Sequence, residues 1–168
     1  HDGSSSIGFG STNTVVVCQN TFYKAYKEVS KFRHTITAES RVKEAVEQFK
    51  LSMVNDEMLM EDFKLMASKP LNDEIKESVI RMLFKVDKDT KQDEVSTRKL
   101  NQIVSFADSV NTSIAEQGNT IWALFNGVTR YTNHVAAPTD ANDKLTYLMD
   151  GQGYNTNQLG FDTIMDWI

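Results

Sequence analysis

The chain has 168 residues, 40% of them apolar and 10% aromatic, and its 18 basic and 23 acidic side chains give a net charge of −5. This composition excludes a disordered protein, and the single cysteine excludes a disulfide framework and a zinc site built on cysteine pairs. No apolar run is long enough to cross a membrane, so we expect no membrane partner. The length fits one domain that buries a substantial core.

The start of the chain, at His1, lacks the basic residues and the apolar stretch of a signal peptide. It resembles the interior of a protein, with a turn followed by a strand. We therefore expect residues 1–168 to form a single helical domain that is the C-terminal portion of a longer protein. The free thiol fits a reducing compartment, the cytoplasm of a bacterial host cell.

The first predicted element is a strand at Thr12–Gln19, because three consecutive valines follow a segment rich in Gly and Ser. One strand cannot satisfy its own backbone groups, so it needs a partner in the Gly/Ser segment, in another chain or in preceding sequence. Asn20 or Thr21 then caps a predicted helix that runs to Arg33, where apolar residues recur with helical spacing.

The central part of the chain predicts three helices. The first covers Glu39–Ser68 and is stopped by Pro70, and Asn72 caps the next, Asp73–Lys85. The polar segment Lys85–Glu94 is a predicted loop. The third helix, Ser96–Gln117, carries apolar residues at 3-4-3-4 spacing, which predicts a narrow seam for packing against another helix. The residues of this seam are Leu100, Ile103, Ala107, Val110 and Ile114.

The last third of the chain continues the helical pattern. Gly118 fits a left-handed C-terminal cap, and Asn119 caps a helix Thr120–Val135, so that this helix forms a hairpin with the preceding one. A short helix at Asp140–Met149, a loop at residues 151–153 and a helix Asn157–Ile168 follow. The predicted fold is mainly α, with one short N-terminal strand or hairpin and an irregular helical array.

Four short motifs resemble a known family in their order and spacing. They are His1-Asp2-Gly3-Ser4, Val17-Cys18-Gln19-Asn20-Thr21, Arg33-His34-Thr35 and the pattern W-x3-N-x2-T-x-Y-x2-H from Trp122 to His134. Together they resemble the phage/plasmid-like domain-of-unknown-function family numbered 932, in its C-terminal part only. The resemblance implies a gene carried by a bacteriophage, a plasmid or another mobile genetic element, and it implies no established reaction.

The most informative candidate site lies on the predicted helix Thr120–Val135. A stripe of uncharged polar side chains beside an indole is formed by Trp122, Asn126, Thr129 and Asn133. Such side chains bind a base or a peptide backbone by hydrogen bonds and stacking. The structural alternative, which the pattern favours, is that the amides and the hydroxyl are buried and satisfied by neighbouring segments, where they fix a unique packing.

A second candidate site is basic. On the predicted first helix, Lys24, Lys27 and Lys31 share a face near two tyrosines, and Arg33 follows. Basic surfaces with aromatic residues suit single-stranded nucleic acid. The last 50 residues carry two basic and five acidic side chains, so DNA binding would be confined to this helix. An ordinary solvated helix face is the interpretation that the sequence favours.

Catalysis has weaker support. Cys18 as a thiolate with His34 or His134 as its base would make a thiol enzyme, but a cysteine that directly follows an apolar strand is commonly a small buried hydrophobe. The set His1, Asp2, His34 and His134 has no local metal-ligand spacing. We therefore expect no catalytic residue, no metal and no cofactor.

The sequence thus favours a phage- or plasmid-derived structural or interaction module without catalysis. We expect protein–protein interaction, either self-association into an oligomer or assembly with another phage or plasmid protein, in the bacterial cytoplasm or in a virion. One alternative is a single-stranded nucleic-acid-associated protein in phage recombination or replication. The other is the thiol enzyme built on Cys18 and a histidine.

Overall fold

The computed structural model describes residues 6–18, 21–33, 38–91 and 94–168, and for residues 6–33 and parts of 38–56 the description covers the backbone alone. Packing of the Cα trace divides the chain into two compact units, His1–Thr14 with Lys24–Glu61, and Val15–Tyr23 with Asp62–Ile168. The strands are β1 (Ser6–Cys18) and β2 (Thr21–Arg33), and the α-helices are α1 (Ala38–Ser68), α2 (Asp73–Phe84), α3 (Thr97–Gln117), α4 (Ile121–Arg130), α5 (Ala141–Met149) and α6 (Gln152–Met165). The mainly α fold class is confirmed.

The N-terminal strands pair with each other in a two-stranded sheet. Their short connection permits only antiparallel pairing, so they form a hairpin. The predicted helix from Asn20 or Thr21 to Arg33 is therefore wrong. The segment of β2 is rich in aromatic and β-branched residues, and pairing with it satisfies the backbone groups of β1. This non-local pairing overrides the helical spacing of the apolar residues, so Lys24, Lys27 and Lys31 do not share a helical face.

The connection between α1 and α2 pairs with the connection between α3 and α4. Leu71 N–H donates to Asn119 O at 3.1 Å, and Ile121 N–H donates to Lys69 O at 3.0 Å. Pro70 and Thr120 form the antiparallel bridge between these bonds. Both helix boundaries were predicted from capping residues and proline, and the bridge joins the two boundaries by backbone hydrogen bonds.

Capping explains the start of α2 and corrects the start of α4. Asn72 accepts a hydrogen bond from Ile75 N–H at 2.8 Å, as predicted. The cap of α4 is Thr120 and not Asn119, because Thr120 Oγ1 accepts from Ala123 N–H at 3.2 Å, while the backbone of Asn119 is engaged in the bridge. Gly118 ends α3 with φ +87° and ψ 169°, so its φ is positive but the predicted left-handed helical conformation is wrong, and its N–H donates to Ile114 O at 2.8 Å.

Helices α3 and α4 form the predicted hairpin and approach each other very closely. A Cβ on Gly127 of α4 would lie 2.7 Å from Val110 Cα and 2.6 Å from Val110 Cγ2. The face of α3 that is most buried consists of Phe106, Ser109, Val110 and Ser113. This face is rotated from the predicted seam, of which only Val110 is buried and the other residues are half-buried. The rotation brings small side chains to the place where the backbones of α3 and α4 come together.

Helix α4 lies at the centre of the second unit. Its residues from 121 to 129 are buried except for the half-buried Trp122. Val128 packs on α6 at Gly160, where a Cβ would lie 2.9 Å from Val128 Cγ1. The ring of Phe125 lies 5.7 Å from the ring of Phe161 on α6. A helix enclosed on all sides must also bury whatever polar residues its sequence contains.

The helical path changes after α4. Residues Tyr131–Ala136 continue it as a π-helix, where the prediction was a regular helix to Val135. Helix α6 begins at Gln152 and not at Asn157, so the predicted loop at residues 151–153 is wrong. Gly153 is there for packing, since a Cβ would lie 2.4 Å from the ring of Tyr147. Within the described residues, no helix combines the length and the apolar content that crossing a bilayer requires.

The substitution Gly127→Ala tests the close approach of α3 and α4. The added methyl group would meet the backbone of Val110, so the helices must move apart, and we expect the free energy of unfolding to fall by about 1–3 kcal/mol. Urea unfolding followed by circular dichroism measures it. The control Asn111→Ala, on the exposed side of α3, should stay within about 0.5 kcal/mol of the parent. Equal stability of the two variants would contradict the packing described here.

Candidate binding cleft

The four side chains predicted to form a binding stripe lie together along α4 and the π-helix, and three of them are in the interior. Asn126 and Thr129 are fully buried and Asn133 is 2% exposed, whereas Trp122 is half-buried. Asn126 Nδ2 donates to Gln117 Oε1 at 2.6 Å and to Trp122 O at 2.9 Å. The amide of Asn126 therefore links α4 to the end of α3.

A second polar link joins the π-helix to α6. Thr132 Oγ1 lies 2.7 Å from Asn157 Oδ1 and 2.9 Å from Thr129 O, and both side chains are buried. In the part of the chain that the structure describes, no donor reaches the buried oxygen Asn126 Oδ1. The hydrogen bonds of Asn126 and Thr132 specify how α3, α4 and α6 pack, because buried polar groups need partners.

His134 lies on the exposed side of the π-helix. Its pKa is lowered by partial burial, and the positive charges of Lys144 and Arg130 lower it further. Arg130 is itself held by Glu116, with the two carboxylate oxygens 3.0 and 3.2 Å from Nη1. The imidazole is therefore neutral at physiological pH.

The other sequence-predicted candidates lie where the structure describes no side chains or no structure. Cys18, Lys24, Lys27, Lys31 and Arg33 belong to the hairpin, of which only the backbone is described. His34 lies outside the described residues. Among the residues that are described, no three acidic, histidine or cysteine side chains are grouped so that they could hold a metal ion.

The sequence did not predict an open cleft of about 910 Å³ in the second unit. We call it the basic cleft. It lies between the end of α2, the first half of α3, the π-helix, α5 and the start of α6. Its lining consists of Leu83, Phe84, Lys85, Arg98, Lys99, Asn101, Gln102, Ser105, Tyr131, Val135, Ala136, Tyr147, Gln152 and Thr156.

The charge in the basic cleft is positive. Lys85, Arg98 and Lys99 are part of its lining, and no carboxylate is among the described lining residues. Lys99 Nζ lies 3.5 Å from the backbone oxygen of Lys85. None of the three cations forms a salt bridge with a described residue. A cleft lined by charges of one sign raises the local concentration of ions of the opposite sign.

Aromatic rings form part of the lining. Tyr131 packs edge-on against Phe84, with ring centres 5.8 Å apart, and Phe106 completes this cluster behind them. The ring of Tyr147 is held in place by Gly153. Burial raises the pKa of Tyr131, and burial together with Tyr131 raises the pKa of Tyr147. Both hydroxyls therefore keep their protons at neutral pH and can donate hydrogen bonds.

One local signal of the basic cleft was present in the sequence. Helices favour acidic residues in their first turn, yet α3 has Arg98 and Lys99 and no acidic residue there. A second unusual feature of the basic cleft, the backbone conformation of Lys85, is visible only in the structure. Lys85 caps α2 in the left-handed conformation, with φ +52°, a position where glycine is preferred.

Comparison with known families gives one match. The sequence model of the family described as "Domain of unknown function (DUF932)" matches residues 1–154. This agrees with the resemblance carried by the four motifs, but the limitation to the C-terminal part of the family is not confirmed. No curated protein and no solved structure matches the chain.

A double-mutant cycle on Thr132 and Asn157 tests the polar link between the π-helix and α6. We expect Thr132→Val to lower the free energy of unfolding by about 1–3 kcal/mol, because it leaves the buried Asn157 Oδ1 without its donor. In the double variant Thr132→Val/Asn157→Leu, no buried oxygen is stranded, so the loss should be smaller than the sum of the single losses. Strict additivity in chemical denaturation would show that the two side chains do not interact.

The pH dependence of stability tests the environment of His134. Because its pKa is lower in the folded than in the unfolded chain, the unfolded chain binds the proton first as the pH falls, and stability is lost through the pKa range of an ordinary histidine. We expect His134→Gln to lose less stability than the parent between about pH 8 and pH 5. Parallel denaturation curves of the two proteins across this range would refute a lowered pKa.

Proposed function

The chain belongs to the family described as "Domain of unknown function (DUF932)", and on this premise we propose that it is a phage- or plasmid-derived interaction module that acts by binding and not by catalysis. The basic cleft is its binding surface. Its partner carries negative charge.

The observation that carries this proposal is the chemical character of the basic cleft. Small-molecule sites have volumes of about 300–1,000 Å³, and the basic cleft has about 910 Å³. Its described lining combines three cations with side-chain amides, hydroxyls and aromatic rings. These groups bind anions through charge and hydrogen bonds, and because they lie on several sides of the basic cleft they can contact a partner at several points.

The protonation states of this lining support binding over acid–base chemistry. Efficient general acids and bases have pKa values near the working pH. The basic side chains of the lining are Lys85, Arg98 and Lys99. The pKa values of Tyr131 and Tyr147 are moved upwards, away from neutrality. The lining groups thus hold a fixed charge pattern, which suits recognition.

Self-association, or assembly with another phage or plasmid protein, stays a prediction from the sequence and concerns other surfaces of the molecule. The thiol alternative depends on Cys18 with His34 or His134, and it stays a prediction because the structure describes no side chain for Cys18. The proposed binding surface lies in the second unit, where the side chains of the lining are described.

Inorganic tripolyphosphate is a simple probe of the proposed anion site. Binding to the folded state should raise the melting temperature in a concentration-dependent way, because a ligand at 100 times its Kd adds about 2.7 kcal/mol to stability. The triple variant Lys85→Gly/Arg98→Ala/Lys99→Ala should lose this response.

The matched control removes three cations that do not line the basic cleft, in Lys76→Ala/Lys88→Gly/Lys91→Ala. It changes the net charge equally and should keep the response to tripolyphosphate. If both triple variants lose the response to the same extent, only the overall charge matters and the basic cleft is not the site. If the parent shows no response, the proposed function is wrong.

A further inference from the structure

We propose that the basic cleft binds single-stranded nucleic acid, with Lys85, Arg98 and Lys99 on the phosphates and with Phe84 and Tyr147 against the bases. This inference rests on the proposed function and specifies the chemical class of its partner. It differs in position from the predicted basic stripe on Lys24, Lys27 and Lys31, since every residue involved belongs to the second unit.

The backbone of Lys85 is strained. A residue other than glycine in the left-handed conformation is strained, and Lys85, with φ +52°, is the one such non-glycine residue in the described part of the chain. Glycine would relieve the strain and end α2 equally well. The lysine side chain is therefore present at a cost to stability, and it stands on the rim of the basic cleft. Local preferences are violated mostly where function requires it.

The first turn of α3 also departs from a local preference. The free N–H groups of a helix N-terminus repel cations, yet Arg98 and Lys99 are placed there, and Ser96 caps the same turn by accepting from Lys99 N–H at 3.3 Å. An anion bound between these side chains and Lys85 removes the repulsion. Three cations that form no salt bridge with a described residue thus come from two separate helix ends to one surface.

The aromatic residues distinguish nucleic acid from a simple polyanion. Phe84 and Tyr147 are half-buried, so part of each ring reaches the basic cleft. Base–aromatic stacking is a general means of holding single strands, together with a positively charged groove that follows the backbone. Duplex bases are stacked on each other and cannot reach such rings. The combination therefore favours a single strand.

The π-helix supports the assignment independently. Its wider turn starts at Tyr131, and Tyr131, Val135 and Ala136 are among the residues that line the basic cleft. π-Helical turns are rare and occur frequently at functional sites. The side-chain amides of Asn101, Gln102 and Gln152 add donors and acceptors that can contact base edges.

Fluorescence anisotropy with labelled oligothymidylate tests the proposal on the full chain. Three phosphate contacts predict that the logarithm of the association constant falls with the logarithm of salt concentration with a slope of about −2. Lys85→Gly should weaken binding several-fold and flatten the slope by about 0.7, while raising the melting temperature because it relieves the left-handed strain. Because the Lys85→Gly variant is then more stable than the parent, its weaker binding cannot result from unfolding. The control Lys88→Gly, three residues after Lys85 and not in the lining of the basic cleft, should bind like the parent.

The stacking contact has its own pair of variants. Tyr147→Ala should weaken oligothymidylate binding about tenfold, in the range of base–aromatic stacking, and Tyr147→Phe should keep the affinity. Because both variants lack the hydroxyl and keep the three cations, inorganic tripolyphosphate should bind the two variants equally well. A single-stranded oligonucleotide should also bind more tightly than a duplex of the same sequence.

The outcomes separate this inference from the proposed function. If tripolyphosphate binds and depends on the three cations, but oligothymidylate binds no more tightly or is unaffected by Tyr147→Ala, the anion site stands and the nucleic-acid assignment is wrong. If oligothymidylate binds the Lys85→Gly and Tyr147→Ala variants as well as it binds the parent, its site lies elsewhere. If neither probe binds, both proposals are overturned.

Discussion

The close approach of α3 and α4 at Val110 and Gly127 is the constraint on which the second unit depends. No side chain larger than hydrogen fits at Gly127, and the facing part of α3 carries Ser109 and Ser113. Each of these serines satisfies its hydroxyl on the carbonyl four residues earlier, at 2.9 and 3.1 Å. The small side chains let the two backbones meet without leaving a buried donor unsatisfied.

The close contact with α3 places α4 in the interior. The polar residues of α4 are therefore buried and must find hydrogen-bond partners within the protein. The opposite side of α4 is covered by α6 through Val128 and Gly160, so Asn126 and Thr129 have no access to solvent. Asn126 is held by Gln117 at the end of α3, and Thr132 is held by Asn157 on α6. Directional bonds of this kind select one packing from the many that apolar contacts alone would allow.

The basic cleft lies on the surface that this packing leaves open. The end of α2 and the start of α3 bring Lys85, Arg98 and Lys99 to one side, and the π-helix and α5 bring Tyr131 and Tyr147. The residues involved are separated by more than 60 positions in the sequence, from Lys85 to Tyr147. The chain carries net negative charge, but the charge on this surface is positive, because the carboxylates lie elsewhere.

The sequence by itself determined the features that depend on a few neighbouring residues. Asn72 and Ser96 fixed two helix starts, Pro70 fixed a helix end, and Gly118 fixed a turn, because caps and breakers act through bonds within one turn of the chain. Only the tertiary structure decided that residues 21–33 form a strand, that Thr120 and not Asn119 caps α4, and that α6 starts at Gln152. The strand depends on its pairing with β1, and the cap depends on the bridge to Pro70. At the start of α6, Gly153 packs on the ring of Tyr147. The basic cleft was beyond prediction for the same reason, since its cations and rings come together only when four helices and the π-helix are packed around α4.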